Sequence, residues 1–510
     1  MPWNREHAPL VPYVADRHSK QGQGGQMSGM LIRVIGSLRT PRAAWTLITV
    51  GAMAGVLGAA RGPSRVLFRD SGGVLGISHW RGPLDENGPF FQSLGTNGRS
   101  CATCHVPANA FGLSAAYAEN IYQRSRGHDP LFAPIDGAAC ATAAENHALD
   151  FHLLRRYGLF RIALPLAAHP QFTISVVHDP YGCALVTDPV SGTMTISVYR
   201  RPLPATNLRF LTAVQFDGRE TVAPLNNPQT FVANLITDLK HQALDAILGH
   251  AQAAVAPTDA QLMQIVAFEG TTTSAQAVDD SAGRLDSEGA RGGPQFLSRT
   301  EFFPGINDPL GGNPAGTAFN PRAFNLYAKW ENSPDPHRAS IARGEEIFNT
   351  HPLLITKVRG LNDALNVSTI KGTCSTCHDA PNVGDHSLAL PLEIGTSGSA
   401  RFEADPQIQA ALSRLSMPDL PVFEIVCNDG PDAGDIAYTS DPGKATLTGL
   451  CSDIGRGKGP ILRGLAARAP YFHNGAAATL EEVVDFYNDR FQMDLTEREK
   501  RDLVSFLRTL

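Results

Sequence analysis

The sequence carries little charge and has no long basic segment. Only 18% of its 510 residues are Asp, Glu, Lys or Arg, and the formal net charge is −6. No run of Lys and Arg stands out after the first 70 residues. Because binding to nucleic acid depends on clustered cations that contact phosphates, this composition argues against a nucleic-acid partner.

Apolar segments long enough to cross a bilayer are also missing, apart from one candidate near the N-terminus. Three arginines precede the run AAWTLITVGAMAGVLGAA, and the small residues Gly58 and Ala60 stand at the spacing of a signal-peptidase site. We expect residues 1–60 to comprise an N-terminal extension and a cleaved signal peptide, and the protein to be periplasmic. An uncleaved anchor is the alternative, and only then would a membrane be a partner.

Two pairs of cysteines, each followed by a histidine, define the class of protein. They read CATCH at 101–105 and CSTCH at 374–378. C-x-x-C-H is the attachment signature of haem c, because two thiols one helical turn apart add to the two vinyl groups and the adjacent imidazole reaches the iron. A zinc site would need two further ligands near each pair, and a thioredoxin-like pair needs no trailing His. We therefore predict two covalently bound haem c groups. The attachment residues are Cys101, Cys104, Cys374 and Cys377, and the iron ligands are His105 and His378.

The other four cysteines are Cys140, Cys183, Cys427 and Cys451. Export makes disulfides possible, and pairing by order would join Cys140 to Cys183 and Cys427 to Cys451. Four cysteines allow three connectivities, and buried free thiols are the other alternative.

The order of patterns along the chain predicts a mainly α fold with two cytochrome-c-like haem domains, loop-rich insertions and a small antiparallel β meander. The N-terminal haem domain would span 61–268, with the meander at 172–201 where β-branched residues alternate. Residues 269–339, rich in Gly, Ser and Thr over most of their length, would form a linker or insertion. The C-terminal cytochrome c domain would span 340–510.

Helical periodicity is strongest at three places. Residues 229–254 place apolar side chains on one face. Two segments near the C-terminus begin with capping-box pairs, Thr479 with Glu482 and Thr496 with Glu499. The plain alternative for each helix is that it serves only to pack the core.

Four segments stand in the order known from one family: SCATCHVPANAFG at 100–112, QFDGRE at 215–220, ARGEEIFN at 342–349, and GPILRGLAARAPYFHNGAAATLEEVVDFYN at 459–488. On these segments the chain resembles the bacterial dihaem cytochrome c peroxidases and, more closely, their MauG-like relatives. The resemblance implies a peroxide-reacting N-terminal iron with an open distal side and a six-coordinate C-terminal iron that passes electrons.

The resemblance also implies a Gln and then a Glu over the peroxide-reacting haem. Gln242 matches the Gln, but no carboxylate stands at the expected distance beyond it, and the nearest ionisable residue is His250. An imidazole there could act as acid and base in O–O cleavage, or it could ligate the iron and block it. A packed or surface His is the plain alternative. We take Gln242 and His250 as the candidate catalytic residues.

Two further features depart from the family's pattern. The family's Trp between the haems is Phe216 here, and a benzene ring is not easily oxidised. The family's calcium ion is held partly by backbone carbonyls near residues 468 and 470, but its Asn ligand is not evident near Arg201. Calcium therefore stays an open alternative.

The sixth ligand of the second iron follows from the same resemblance. Counted from His473, the family's axial Met falls at Tyr487, where MauG-like proteins also carry Tyr. Tyr487 shares a helical face with apolar residues, so a buried aromatic is the plain alternative. We assign Tyr487 as the ligand, with Met417 as the rival, because methionine is the usual partner of His in such haems.

These features together predict a cytochrome-c peroxidase-like enzyme. Its substrate would be hydrogen peroxide, and its partner a small electron donor such as a cytochrome c or cupredoxin, or a protein that it oxidises as MauG-like proteins do. The alternative is a non-enzymatic periplasmic electron-transfer cytochrome with both irons six-coordinate.

Overall fold

The computed structural model describes residues 64–80, 82, 84–140 and 150–510. The predicted extension and signal peptide at 1–60 lie outside these residues. Helices make up 30% and strands 16%, so the expectation of a mainly α fold is met only in part. Among the described residues no helix combines the length and the hydropathy of a membrane span.

The α-helices are α1 Cys101–Cys104, α2 Ala115–Ser125, α3 Pro134–Gly137, α4 His152–Tyr157, α5 Phe231–Gly249, α6 Asp259–Thr271, α7 Pro294–Leu297, α8 Pro336–Thr350, α9 Pro406–Leu412, α10 Ala445–Thr448, α11 Leu480–Arg490 and α12 Glu497–Arg508. Short 3-10 helices lie at Pro107–Asn109, Pro130–Phe132, Leu208–Phe210, Ala328–Trp330, Cys374–Thr376, Cys451–Asp453 and Leu465–Ala467.

The strands are β1 Ser64–Arg69, β2 Gly73–His79, β3 Phe160–Pro165, β4 Phe172–His178, β5 Leu185–Thr187, β6 Met194–Arg200, β7 Thr272–Asp279, β8 Gly283–Arg284, β9 Leu353–Thr356, β10 Thr369–Gly372, β11 Val422–Cys427 and β12 Ile436–Thr439. They form sheets in the orders β1-β2-β7-β8, β10-β9, β12-β11-β4 and β3-β6-β5, with antiparallel pairing throughout.

The predicted meander is only partly correct. Its strands exist, and β5 pairs with β6 as a hairpin would. Strand β4, however, pairs with β11 in the second half of the chain, and Phe172 lies opposite Cys427. Alternation of β-branched residues identifies strands, but it carries no information about a partner so distant in sequence.

The segment 269–339 packs against both the chain that precedes it and the chain that follows it. Its strand β7 is an inner strand, paired with both β2 and β8. Further along, Phe324, Tyr327 and Trp330 are buried in the same core as Phe348 and Phe506. A free linker would not be paired in a sheet and buried in a core in this way. The domain boundaries at 268 and 340 stay a prediction.

One of the two predicted capping boxes is present in full, whereas at α11 the Glu482 carboxylate accepts the amide of Ala478 instead of that of Thr479. Thr479 Oγ1 accepts the amide of Glu482 at 3.2 Å, which opens α11. Thr496 Oγ1 accepts the amide of Glu499, and the Glu499 carboxylate accepts the amide of Thr496 at 2.8 Å, so the predicted capping box is present. Helices α8 and α12 pack closely, and a side chain on Gly344 would collide with the carbonyl of Asp502.

Both predicted disulfides are confirmed. Cys140 is bonded to Cys183 and Cys427 to Cys451, with Cα–Cα distances of 6.1 and 6.0 Å. The four cysteines of the two haem motifs are free.

Candidate functional site

The first haem motif forms one turn of helix, α1, that ends at His105. The backbone amide of Ser100 donates to Thr103 Oγ1 at 3.0 Å, which fixes the start of this turn. His105 Nδ1 lies 3.1 Å from the carbonyl oxygen of Phe111. Because a carbonyl only accepts, Nδ1 carries the proton and Nε2 is left as the basic atom. Burial lowers the pKa of His105 to about 4, so the imidazole is neutral, as an iron ligand must be.

The second motif repeats this geometry. The amide of Thr373 donates to Thr376 Oγ1 at 3.0 Å. His378 Nδ1 lies 2.6 Å from the carbonyl oxygen of Gly384, and burial lowers the pKa of His378. In both motifs the imidazole Nδ1 thus faces the carbonyl six residues further along the chain, which makes Nε2 the candidate metal ligand.

A cavity of about 210 Å³, counted as the space that water centres can occupy, opens at the first motif. Its walls include the two motif cysteines and His105. Helix α5 lines it with both predicted catalytic residues, Gln242 and His250. The structure therefore brings these five side chains, distant in sequence, to one space.

The cavity suits a group that carries carboxylates. Arg463 lines it and is only 1% exposed, yet none of its three side-chain nitrogens has a hydrogen-bond partner within the described chain. An unpaired buried guanidinium is costly unless an anion meets it. Haem carries two propionate carboxylates, so Arg463 and the motif residues together fit a haem at this position.

His250 is held by a buried ion pair that the sequence did not reveal. Its Nδ1 lies 2.5 Å from Asp136 Oδ2, and Asp136 Oδ1 lies 2.5 Å from Arg99 Nη1. Asp136 and Arg99 are 5% and 2% exposed. Burial opposes ionisation of Asp136, but the hydrogen bond from His250 and the charge of Arg99 outweigh it and lower its pKa. Since this carboxylate only accepts, Nδ1 of His250 is the protonated nitrogen, and Nε2 is the basic atom.

A carboxyl group that sequence spacing did not suggest also lines the cavity. Glu269, from α6, is 5% exposed, and burial raises its pKa to about 8. Its Oε2 has no hydrogen-bond partner within the described chain. The family's pattern places a carboxylate shortly after Gln242, whereas here the fold supplies one from the next helix.

Phe216 stands between the first cavity and the C-terminal segment. It lines the cavity and stacks on His473, with ring centroids 4.5 Å apart and planes inclined by 13°. The guanidinium carbon of Arg200 lies 4.9 Å from the centre of the Phe216 ring. Arg200 is buried and forms ion pairs with Asp217 and Asp441. Phe216 therefore occupies a bridging position, although its ring is hard to oxidise.

Tyr487 lies close to the second haem motif. Burial, together with the thiols of Cys377 and Cys374, raises the pKa of Tyr487. Three rings surround it, those of Phe472, Phe486 and Phe491. The Tyr487 hydroxyl makes no hydrogen bond to a described residue, whereas the buried Tyr471 donates to the carbonyl of Leu465 at 3.1 Å. The rival Met417 packs at the edge of the same core.

Three curated relatives show what the chain is similar to. It is 30% identical to cytochrome-c peroxidase IdrP2 of Denitromonas iodatirespirans over 156 residues, 29% of this chain and 38% of that protein. It is 34% identical to cytochrome c551 peroxidase of Nitrosomonas europaea over 100 residues, 17% of this chain and 30% of the relative. It is 37% identical to methylamine utilization protein MauG of Methylorubrum extorquens over 84 residues, 12% of this chain and 24% of the relative.

These matches confirm the resemblance to the bacterial cytochrome c peroxidases and MauG that the motifs indicated. The matched region spans less than two-fifths of each relative's own length. No family model matches the chain. A solved MauG-like protein associated with microbial copper homeostasis aligns with 83% of this chain and 87% of its own, at 14% identity and a TM-score of 0.31.

Proposed function

We propose that the protein is an exported, periplasmic dihaem c-type cytochrome that carries out peroxide-dependent oxidoreduction. It reduces hydrogen peroxide with electrons from a small donor such as a cytochrome c or cupredoxin, or it uses peroxide to oxidise a protein partner. The observation that carries the proposal is the cavity at the first motif, where His250 and Gln242 share one space with His105.

The first site would bind and split peroxide. Haem bound there, through Cys101, Cys104 and His105, supplies an iron that exchanges electrons with the oxygen atoms. His250 Nε2 takes a proton from bound peroxide and returns it to the departing oxygen, because Nδ1 stays bound to Asp136. The amide of Gln242 orients the peroxide by hydrogen bonding.

The second site would store and deliver electrons. Cys374, Cys377 and His378 would hold its haem, and we propose Tyr487 as a further iron ligand, since it lies close to the thiols of Cys377 and Cys374. A phenolate is a hard anionic ligand that favours high oxidation states. This choice supports oxidation of a partner more than ordinary peroxidase turnover, for which a neutral thioether such as that of Met417 is suited.

The decisive experiment compares two histidines of the same helical segment. His250→Ala should slow the reaction of the oxidised protein with peroxide by about 10²- to 10⁴-fold, measured by stopped-flow absorbance. His241→Ala is the matched control, because His241 contacts Glu220 away from the cavity lining. Equal rates in the wild type and His250→Ala would remove His250 from the mechanism.

The same variant tests the alternative function. A carboxylate-bound imidazole with a free Nε2 is also a good iron ligand, and His250 would then close the first site. In that case the wild type shows two low-spin haems inert to peroxide, and His250→Ala converts one of them to high spin. Electron paramagnetic resonance separates the two outcomes, and the second one identifies an electron-transfer cytochrome.

A further inference from the structure

Arg201 places its guanidinium in a ring of backbone carbonyls. Its Nη1 donates to the carbonyl of Pro470, and its Nη2 donates to those of Leu113 and, at 2.6 Å, Arg468. The backbone amide of Arg201 donates to the carbonyl of His473 at 2.7 Å. One residue thus joins the segment that follows the first haem motif to the segment 468–473 of the C-terminal half.

Among the described residues, no carboxylate forms an ion pair with Arg201. Burial and the neighbouring charge of Arg468 lower the pKa of Arg201 to about 9, and only Tyr471 acts in the opposite sense. The guanidinium stays charged at neutral pH and is stabilised by carbonyl dipoles alone. Three carbonyl oxygens converge on this one positive charge, and hard oxygen ligands of this kind bind Ca²⁺ in other proteins.

The same carbonyls are those that the resemblance assigns to calcium. The oxygens of residues 468 and 470 already accept hydrogen bonds from the guanidinium. A calcium ion there would compete for their lone pairs and would be repelled by the adjacent positive charge. These residues therefore do not fit calcium.

We propose that the Arg201 side chain replaces a bound calcium ion as the cation of this carbonyl ring. The link between the two halves of the chain is then part of the polypeptide and needs no metal. This inference does not depend on the proposed function, because it concerns the cohesion of the folded protein rather than its reaction.

The wild-type protein provides the first test. As purified, before any chelator is added, the haem-loaded protein should contain no stoichiometric calcium by inductively coupled plasma mass spectrometry. Its melting temperature should be the same in EGTA and in excess CaCl₂. One calcium per chain, with a melting temperature that falls when EGTA removes it, would overturn the proposal even if no variant folded.

Arg201→Ala provides the second test. Removing the side chain frees the three carbonyls, so the variant should melt below the wild type and should recover part of the difference in CaCl₂ but not in NaCl. Arg490→Ala is the matched control. Arg490 also donates to three carbonyls, those of Ile394, Thr356 and Lys357, at 2.8 to 3.3 Å. An Arg201→Ala protein as indifferent to calcium as Arg490→Ala would show that the ring is not a cation site, and would overturn the proposal.

Discussion

The two haem motifs share one proximal construction and differ in what faces them. In each, a threonine hydroxyl fixes the first turn, and the histidine Nδ1 meets the carbonyl six residues on, Phe111 in one and Gly384 in the other. The first motif opens on a cavity whose lining includes an imidazole bound to a carboxylate. Around Tyr487 at the second motif lie aromatic rings.

This difference shows where the chemistry of such a chain is decided. In the proposed function, attachment and the histidine ligand come from five consecutive residues in each half. Reactivity would depend on residues contributed by other segments, which place an imidazole, an amide and a carboxyl group beside one motif and aromatic rings around Tyr487 at the other. Variants that exchange or remove one of these contributions test the comparison directly.

The largest expected effect comes from deleting one attachment site. The double variant Cys101→Ala, Cys104→Ala should lose one covalent haem, as measured by mass spectrometry, and should no longer react with peroxide. The matched pair, Cys374→Ala with Cys377→Ala, should also remove one haem but leave the first site able to react with peroxide once. If the second pair abolished peroxide reactivity and the first pair preserved it, the assignment of the two sites would be reversed.

The next effect concerns the second axial position. Tyr487→Phe should turn the low-spin signal of the second haem into a high-spin signal, because phenylalanine offers no oxygen to the iron. Met417→Leu is the matched control and should leave the spectrum unchanged. An altered spectrum in Met417→Leu alone would assign the ligand to Met417.

A third prediction concerns the carboxyl group of the first cavity. Since burial raises the pKa of Glu269 from 4.5 to about 8, the folded protein binds one more proton than the unfolded chain between these pH values. Its stability therefore falls as pH rises through that window, by up to about 5 kcal/mol. Glu269→Gln should remove this loss and be more stable than the wild type at pH 8.

Denaturant unfolding at pH 5 and pH 8 measures this difference. The exposed Glu331→Gln serves as control and should keep the wild-type pH dependence. A Glu269→Gln protein with the same pH dependence as the wild type would show that Glu269 is ionised in the folded state.

The smallest effect is expected at the bridging ring. Phe216→Leu should leave the rate of electron exchange between the two haems nearly unchanged in stopped-flow absorbance, because the benzene ring is not itself oxidised. Phe210→Leu replaces a buried ring elsewhere in the protein and controls for any effect of lost stability. A marked slowing in Phe216→Leu alone would mean that the electron path does pass through this position.

The sequence was most informative where the chemistry is local. The capping box at Thr496 lies within a few residues, so spacing alone identifies it. The two C-x-x-C-H motifs are equally local, and their role in haem attachment stays a prediction. The disulfides also followed from order, because each joins cysteines of one segment. Gln242 and His250 were found through the family's pattern, and the structure brings both to the cavity.

The sequence was least informative where distant segments meet. Asp136 carries no recognisable motif, and its role depends on a helix that begins almost a hundred residues later. Glu269 and Arg201 are ordinary residues until the fold surrounds one with apolar side chains and the other with carbonyls. Such contacts depend on tertiary packing, which local propensity does not encode.

The pairing of β4 with β11 has a consequence for how the protein is made. Strand β4 leaves the ribosome early, whereas its partner Val422–Cys427 comes near the end of synthesis. The edge of β4 therefore stays unpaired until Val422–Cys427 has been made, a state prone to wrong pairing. Closure of this sheet is thus a late event in the synthesis of the chain.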